Sequence, residues 1–437
     1  MLRRLQCLAP RSAVWSDLSA RPGPDLNLMT RTGCPAGRPG GCIAAAAVAS
    51  CGPMASVIDS DQHLVEYRGF WSEHIDPAAR DDALQMVDDD AGWTWLHWRD
   101  ERLGLVEVQS PGDTASIGRR HQAALHGEPC DMRWDDHLPA DHWNPSARRA
   151  RLDGLGVDEA ILFPNFGLLW ERRLGADPVA QHANMAAWNR WCGIVVSEGA
   201  GVLHPVAHLH LRDHEWLDAQ LRALAGAGVK LAMVAPSLVE GKPLSHPDVD
   251  RAWSLFEEHD ITPVFHVADQ PRPFDDAWYV DATTGNVPTL ESVFLWTAAA
   301  LACTDLIVNG VLERHPRLRL GIVELSAVWV PMYLMMLDGG VHFTSTFNGV
   351  TPGGITMAPS DYFRRQVRVS SFAYELPARI ARDVRGDDLL MACSDYPHSE
   401  GTATPVADYA NAPERFATAP ERAPRLFHDN AAFLLGR

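Results

Sequence analysis

The chain has 437 residues, 46% of them hydrophobic, and a formal net charge of −18 at neutral pH. A surface this acidic repels phosphate backbones and acidic membrane surfaces, which argues against nucleic-acid binding and membrane attachment. Lysine occurs only at Lys230 and Lys242, and no GxxxxGK[ST] phosphate loop is present, so Schiff-base and phosphate-loop chemistry are disfavoured.

The first 53 residues do not have the composition of a folded domain. They mix arginine, proline, glycine and serine, with six arginines against two acidic residues. A transit peptide is one interpretation, because such segments are rich in arginine and poor in acids. We prefer a disordered or wrongly assigned extension, with the folded chain starting at Met54 or Met29. Half of the eight cysteines lie in this stretch and no CxxC pair occurs, which is typical of a reduced, cytoplasmic protein.

From Met54 onward, strand-like and helical stretches alternate, which is typical of a parallel α/β fold. Eight strands are predicted, the number that a (β/α)₈ TIM barrel needs: Ser56–Asp61, Val157–Pro164, Gly201–Leu209, Val229–Pro236, Ile261–Val267, Leu318–Leu325, Gln366–Phe372 and Asp388–Ser394. Helices are predicted between them over Val179–Val196, Asp213–Ala227, His246–Asp260, Thr289–Arg314 and Trp329–Asp338.

A single barrel domain over residues 54–437 would contain a long insertion, residues 64–150, between its first two strands. This segment is far longer than an ordinary barrel connection. It either shapes the substrate pocket or an oligomer contact at the catalytic mouth, or it only covers the surface. The sequence leaves these alternatives open.

Several apolar strands stop at residue types that bind metals. The first ends with Asp61 and His63, which point to the same side of a strand because they are two residues apart. Later strands end at His266, Glu324 and Asp395. Parallel barrel strands end around one mouth, so these side chains are expected to meet there. Within this set, the two imidazoles and the carboxylates of Asp61 and Asp395 suit Zn²⁺ or another divalent transition metal.

Seven short fragments, spread in a fixed order over about 380 residues, resemble the amidohydrolase-related family of the amidohydrolase superfamily. This branch includes 2-amino-3-carboxymuconate semialdehyde decarboxylase and the resorcylate and carboxyvanillate decarboxylases. The matching fragments are Ile58–Glu66, Ala160–Pro164, Leu203–Ala207, Asp305–Pro316, Val323–Pro331, Ser394–Gly401 and Asn430–Ala432.

The resemblance implies a mononuclear metal site. Its ligands would be Asp61, His63, His266 and Asp395, with Asp395 also handling the proton of the attacking water. One divalent ion is expected, with Zn²⁺ preferred and Mn²⁺ as the alternative. Some superfamily members hold two metals with a lysine at the end of strand four. Lys230 lies at the start of that strand, which argues against a binuclear site.

The sequence departs from the decarboxylase pattern at two positions. Asp61 stands where better-known members have Glu or His, and Glu324 ends strand six where the muconate semialdehyde enzyme has a histidine. Glu324 is therefore a candidate acid or base beside Asp395. Candidate substrate-binding residues follow other strands or flank them: Arg365, His398, His208 and Trp329.

Three interpretations of function remain open at this stage. The first is a metal-dependent hydrolase in which an activated water attacks a small organic substrate. The second is a metal-dependent, non-oxidative decarboxylase of an aromatic or muconate-type acid. The third is a barrel that has lost catalysis and only binds. The expected partner is a small molecule, such as a carboxylic acid, and pairing into a homodimer is kept as an option.

Overall fold

The computed structural model describes residues 56–280, 288–412 and 423–437. The predicted extension over residues 1–53 lies outside these ranges, so its nature stays a prediction. Among the described residues, no helix is both long enough and apolar enough to cross a membrane.

The main sheet of the described chain has eight parallel strands, and the predicted barrel is confirmed. Its strands occur in chain order around the sheet, each next to its predecessor. They are β1 (Ile58–Leu64), β5 (Glu159–Pro164), β6 (Leu203–His208), β7 (Leu231–Met233), β8 (Thr262–His266), β9 (Leu320–Val323), β10 (Val367–Ser371) and β11 (Leu390–Ala392). All eight overlap the predicted strands, most of them with earlier ends.

Hydrogen bonds between the first and last strands close the barrel. Ser60 Oγ donates to the carbonyl of Ala392 at 2.9 Å. Beyond the end of β11, Asp395 N donates to Asp61 O at 2.8 Å. Closure therefore brings the two ends of the folded domain, more than 330 residues apart in sequence, into direct contact.

Successive side chains along each strand point alternately into the barrel and toward the helices, so the sheet has two apolar faces. On β5, Ile161 and Phe163 pack inside the barrel, while Ala160 and Leu162 face the surrounding helices. The interior also receives the C-terminal helix, in which Leu434 is completely buried and accepts a hydrogen bond from Thr262 Oγ1 at 2.7 Å. This end of the barrel is thus filled by side chains, and the other end is left for chemistry.

The helices of the described chain include the C-terminal helix, which fills one end of the barrel. They are α1 (Phe70–His74), α2 (Thr114–Leu125), α3 (Trp134–His137), α4 (Ala140–Trp143), α5 (Pro145–Leu155), α6 (Pro178–Glu198), α7 (His214–Gly226), α8 (Pro247–His259), α9 (Thr289–Val293), α10 (Thr297–Val308), α11 (Val311–Arg314), α12 (Val330–Asn348), α13 (Pro359–Gln366), α14 (Pro377–Asp383), α15 (Pro405–Asn411) and α16 (Asn430–Leu434).

Two of the predicted helices differ from those observed. The stretch Thr289–Arg314 is divided into α9, α10 and α11, with Gly310 at φ +75° before the last of them. The helix predicted to end at Asp338 continues to Asn348. The glycines at 339 and 340 lie inside this helix, which tolerates each of them at a cost of about 1 kcal/mol.

The long segment between β1 and β5 has its own small sheet. Strands β2 (Gln85–Asp88), β3 (Thr94–Trp98) and β4 (Glu101–Leu105) pair antiparallel. This sheet lies within the predicted insertion 64–150; Leu64 ends β1, and α5 leads directly into β5.

Candidate metal centre

Four side chains from three strands converge at the mouth of the barrel. They are Asp61 and His63 of β1, His266 at the end of β8, and Glu324 directly after β9, with candidate donor atoms all within 4.8 Å of one another. The Nε2 atoms of both histidines lie 3.5 Å from Asp61 Oδ1. Glu324 Oε2 lies 3.1 Å from His266 Nε2 and 3.7 Å from His63 Nε2.

The orientation of both imidazoles is set by the main chain. His63 Nδ1 lies 2.9 Å from Pro164 O, and His266 Nδ1 lies 2.8 Å from Val267 O. A carbonyl can only accept, so each Nδ1 carries the donated hydrogen and each Nε2 faces the centre. This is the arrangement of a metal-ligating histidine.

The atoms that face the centre have no hydrogen-bond partner within the described chain. These buried atoms are both carboxylate oxygens of Asp61, Oδ2 of Asp395, Nε2 of His63 and His266, and Oε2 of Glu324. Unpaired buried polar atoms are costly, and here they point at one another. Two imidazole nitrogens with several carboxylate oxygens fit a divalent cation that accepts nitrogen and oxygen ligands.

Asp395 approaches the same centre from the last strand. Its Oδ1 lies 3.2 Å from His63 Nε2 and 2.8 Å from His398 Nδ1. Donor atoms of His63, Glu324, Asp395 and His398 form a second group within 4.8 Å. The structure therefore brings the four predicted ligands together with Glu324 and His398, two other predicted site residues.

The two carboxylates that follow β9 and β11 share an unusual backbone geometry. Glu324 has φ +54° and Asp395 has φ +57°, the left-handed region that non-glycine residues rarely adopt. Such a conformation persists where the surroundings impose it, and it clusters at functional sites. Glu324 N donates to Ser370 Oγ at 3.0 Å, and Asp395 N donates to Asp61 O at 2.8 Å.

The carboxylates gathered at the centre raise the pKa values of His63 and Glu324. Burial opposes the charged imidazole of His63, but the carboxylates of Asp395 and Asp61 outweigh it and raise its pKa to about 10. Burial, with the charges of Asp395 and Asp61, raises the pKa of Glu324 well above its usual range. A cation would compete with the proton on His63, so metal affinity should fall with decreasing pH.

Asp59 is a positioning residue that sequence reasoning missed. It is fully buried, and burial raises its pKa to about 6. Its oxygens accept from Ser394 N at 2.9 Å, from Asp61 N at 3.2 Å and from Gln62 Nε2 at 2.8 Å. Asp59 thus links Ser394, the residue before Asp395, to β1. The signal was present, because Asp59 stands two residues before Asp61 on the same strand.

Glu66 and Asn165 form a second missed support. Asn165 Oδ1 lies 2.9 Å from His398 Nε2, on the far side of the imidazole from Asp395. Glu66 accepts from the main-chain N–H groups of Phe166 at 2.8 Å and Gly167 at 2.7 Å, which holds the turn carrying Asn165. Asn165 directly follows the predicted strand Val157–Pro164, and Glu66 ends the matching fragment Ile58–Glu66, which was the available signal.

The substrate-binding prediction for Arg365 is wrong. Its guanidinium donates to Leu312 O at 2.7 Å and to Gln366 Oε1 at 2.7 Å. Gln366 in turn donates to His315 O, ahead of β9. Arg365 precedes β10, and residues before a parallel strand lie at the end of the barrel opposite the mouth. The sequence placed Arg365 beside the correct strand but at the wrong end of it.

The other predicted substrate-binding residues have different surroundings. His398 stacks on His63 with ring centroids 3.8 Å apart, so it lies at the centre. Buried His208, at the end of β6, pairs through Nε2 with Glu171 at 3.0 Å. Buried Trp329 stacks on Trp296 and donates to the carbonyl of Ser326 at 2.8 Å, which is the environment of a packing residue. The described contacts join neither of the last two to the cluster.

A cavity opens beside His266 that sequence reasoning also missed. Its lining is mostly apolar and aromatic and includes Phe294, Leu325 and Tyr279. Arg272 also lines it, with its guanidinium carbon 4.2 Å from the Tyr279 ring centroid and its side chain paired with Glu291 at 3.3 Å. Glu291 lines the cavity as well, so an Arg–Glu pair stands in an otherwise mostly apolar cavity next to metal-type ligands, which suits a small organic molecule.

Comparison with known proteins agrees with this geometry. A family model described as Amidohydrolase matches residues 58–437. No curated protein matches the chain. Among solved structures, an amidohydrolase from Mycobacterium avium subsp. paratuberculosis is similar, with 24% identity, a TM-score of 0.68, and coverage of 87% of this chain and 99% of that one.

Two decarboxylases share the fold at lower identity. One is 5-carboxyvanillate decarboxylase from Novosphingobium aromaticivorans, solved with manganese and 4-hydroxy-3-methoxy-5-nitrobenzoic acid, at 16% identity, TM-score 0.57, and 87% and 96% coverage. The other is 2,6-dihydroxybenzoate decarboxylase from Rhizobium, at 14% identity, TM-score 0.54, and 88% and 99% coverage. At these identities the likeness concerns the fold.

Proposed function

The chain belongs to the amidohydrolase family, and from this premise we propose that it is a metal-dependent hydrolase of a small organic substrate. The observation that supports the proposal is the convergence of Asp61, His63, His266 and Glu324, whose unpartnered donor atoms lie within 4.8 Å of one another. One divalent ion, Zn²⁺ by preference and Mn²⁺ as the alternative, is the proposed occupant. When bound, it would polarise a substrate carbonyl and acidify a water.

Asp395 is the proposed general base. Its Oδ1 lies 2.8 Å from His398 Nδ1, and His398 Nε2 contacts Asn165 Oδ1 at 2.9 Å. Because the asparagine oxygen only accepts, His398 Nε2 keeps its hydrogen, and a proton taken up by Asp395 can be shared with Nδ1. Asp395 and His398 can therefore take a proton from water and return it to a leaving group.

Glu324 is proposed to act as an acid or to complete the ligand set. Its side chain is 13% exposed, whereas those of the two histidines and of Asp395 are buried, so it lies at the open side of the centre. Its Oε2 has no partner within the described chain. Both roles would use Oε2 of Glu324. Measuring the metal content of a Glu324 variant distinguishes a ligand from an acid.

The proposed substrate carries a carboxylate or another anionic group. Arg272 supplies the guanidinium, and the apolar lining next to His266 would hold the hydrophobic part of the molecule. A guanidinium can pair with a carboxylate through two hydrogen bonds and so orient it. In the described chain, Arg272 already pairs with Glu291 at 3.3 Å, which keeps its side chain in place before substrate arrives.

Non-oxidative decarboxylation of an aromatic acid is the second candidate. The specific observation in its favour is the same cavity, because aromatic and apolar side chains surround a guanidinium beside His266. In this reaction Asp395 would deliver a proton to the carbon that loses CO₂. The two candidates differ in product, so a substrate screen distinguishes them.

The first test is metal content by elemental analysis of the full chain, with His63→Ala and a control, His259→Ala. His259 pairs with Asp218 at 2.7 Å on the surface of the helical layer. We expect about one equivalent of Zn or Mn in wild type and the control, and strong loss in His63→Ala. Absence of metal from wild type after reconstitution would overturn both candidate functions.

The second test screens esters, lactones and amides for hydrolysis, and aromatic carboxylic acids for CO₂ release. Glu324→Gln is assayed in parallel for metal and turnover. Full metal with turnover lowered by about 10²-fold or more would support an acid role, and loss of metal would make Glu324 a ligand. If the variant kept both metal and turnover, Glu324 would be neither the acid nor a required ligand.

A further inference from the structure

The turn after β11, which carries the proposed proton-transfer groups, is held only in part by its own hydrogen bonds. His398 N donates to Asp395 O at 2.8 Å, and Thr402 N donates to Ser394 O at 2.9 Å. The main-chain groups of Ser399 take no part in these bonds, although Ser399 is only 4% exposed. Buried main-chain groups need partners, so those of Ser399 must come from another segment.

The long insertion between β1 and β5 supplies these partners. Ser399 N donates to Gln109 Oε1 at 2.9 Å. Ser399 O accepts from Gly112 N at 2.8 Å and from Thr114 Oγ1 at 3.1 Å. Thr114 and Ser399 are 285 residues apart in sequence, so only the folded insertion makes this contact. Residues 109–114 are called the strap below.

A second part of the insertion holds Tyr396, the residue that follows Asp395. The Tyr396 hydroxyl donates to Asp141 Oδ2 at 2.7 Å. The guanidinium carbon of Arg148 lies 5.0 Å from the centroid of the Tyr396 ring, within the range of a cation–π contact. The insertion therefore contacts the residues that directly follow both Asp395 and His398.

The Asp395–His398 pair lies between these two contacts. Its atoms Oδ1 and Nδ1 are 2.8 Å apart, which is a distance suited to proton transfer. Misplacing a catalytic group by about 1 Å can cost about 10²-fold in rate. A turn held at Tyr396 and at Ser399 cannot shift without breaking hydrogen bonds to the insertion.

The side chains of the strap add little to the stability of the fold. Thr114 is exposed and Gln109 is half-buried. One hydrogen bond of this kind contributes about 0.5–1.5 kcal/mol. The effect of these two side chains is therefore expected mainly at the turn that they contact, next to His398.

We propose that the insertion is a clamp that positions the Asp395–His398 pair, with Gln109 and Thr114 as positioning residues. This role rests on the proton transfer proposed above for the same pair. It gives the insertion a part in the chemistry at the barrel mouth, beyond covering the surface.

The test compares disruptive with conservative variants at the two positioning residues. Gln109→Met removes the acceptor and Thr114→Val removes the hydroxyl, whereas Gln109→Glu and Thr114→Ser keep them. The control is Ser72→Ala, elsewhere in the insertion, where an exposed hydroxyl donates to Gly69 O at 2.8 Å. Each full-length variant is assayed for kcat, KM, bound metal and thermal unfolding.

Each disruptive variant is expected to lower kcat about tenfold, with KM and bound metal unchanged, because the pair is misplaced while the substrate still binds. The conservative variants should keep most of the wild-type kcat, and Ser72→Ala all of it. A role in folding alone would instead lower the thermal stability and leave kcat unchanged.

Hydrogen exchange of main-chain amides gives a readout that does not need turnover. The amide of Ser399 should exchange at least tenfold faster in Gln109→Met than in wild type, because it loses its acceptor. In Ser72→Ala the exchange of this amide should equal that of wild type.

Unchanged kcat in both disruptive variants would overturn the proposal and leave the strap as surface cover. Equal losses in the disruptive and the conservative variants would also overturn it. If metal-loaded wild type turns over no substrate, the proposed function fails, and hydrogen exchange then decides on the clamp. Unchanged exchange at Ser399 in Gln109→Met would reject the clamp in either case.

Discussion

His398 Nδ1 lies 2.8 Å from Asp395 Oδ1, and the three-residue spacing between them is closed by a turn in which His398 N donates to Asp395 O at 2.8 Å. The two side chains are therefore held together by the local backbone as well as by their own contact. The stacking of His398 on His63 then fixes this turn relative to the first strand. The short segment from Asp395 to His398 therefore positions both the proposed general base, Asp395, and the candidate ligand His63.

Asp395→Asn should abolish most turnover while the fold is retained. The amide keeps the size of the side chain but cannot take up a proton, and loss of a general base costs about 10²–10⁴-fold. Turnover of the substrate found by screening is measured beside thermal unfolding by circular dichroism. Unchanged turnover would remove Asp395 from the mechanism.

His398→Gln should lower kcat by about 10–100-fold with metal content unchanged. Glutamine can still contact Asn165 but cannot share a proton with Asp395. The pH profile of kcat should shift, which a purely structural role would not produce. Equal loss in kcat and in bound metal would show instead that His398 supports the ligands.

Gly401→Ala should lower turnover without touching substrate. A Cβ at Gly401 would lie 2.4 Å from Asp395 O and 2.7 Å from Ser394 O, which are main-chain atoms that cannot rotate away. The turn that carries Asp395 must therefore shift. The matched control is Gly118→Ala, inside α2, where a Cβ meets nothing within 4 Å and should stabilise by about 0.5–1 kcal/mol. Equal activity of both variants would contradict the expectation.

Glu159→Gln should remove part of the acid sensitivity of folding. Burial opposes ionisation of Glu159, but hydrogen bonds from His204 and Arg437 outweigh it and lower the pKa from 4.5 to about 2. Ionised Glu159 thus stabilises the folded state fully above the unfolded pKa, and this contribution is lost as pH falls from 4.5 toward 2.

The measurement for Glu159 is urea unfolding of wild type and Glu159→Gln at several pH values. The variant should be less stable at pH 7 by about 1 kcal/mol, since the ion pairs are partly exposed. The difference between the two proteins should narrow below pH 4.5. A difference independent of pH would assign the loss to packing instead of charge.

Much of the barrel and of the centre followed from local patterns. Apolar runs that stop at Asp61, His266, Glu324 and Asp395 identified strands and their ends at the same time, because a parallel strand buried on both faces is continuously apolar. The family resemblance added the order of the fragments. Arg365 was misplaced because the rule that put Lys230 opposite the mouth, namely that it lies at the start of a parallel strand, was not applied to it.

The sequence by itself determined the number of barrel strands and the four candidate ligands, since these depend on periodicity and residue type, which are local properties, while the resemblance of the fragments indicated the family. Only the tertiary structure decided that Asp59, Asn165 and Glu66 orient the centre and that the methionines and phenylalanines of α12 remain exposed. Hydrogen bonds such as that of Ser394 N to Asp59 span more than 330 residues. Such contacts depend on closure of the barrel, and burial depends on which elements pack together, so neither can be read from neighbouring residues.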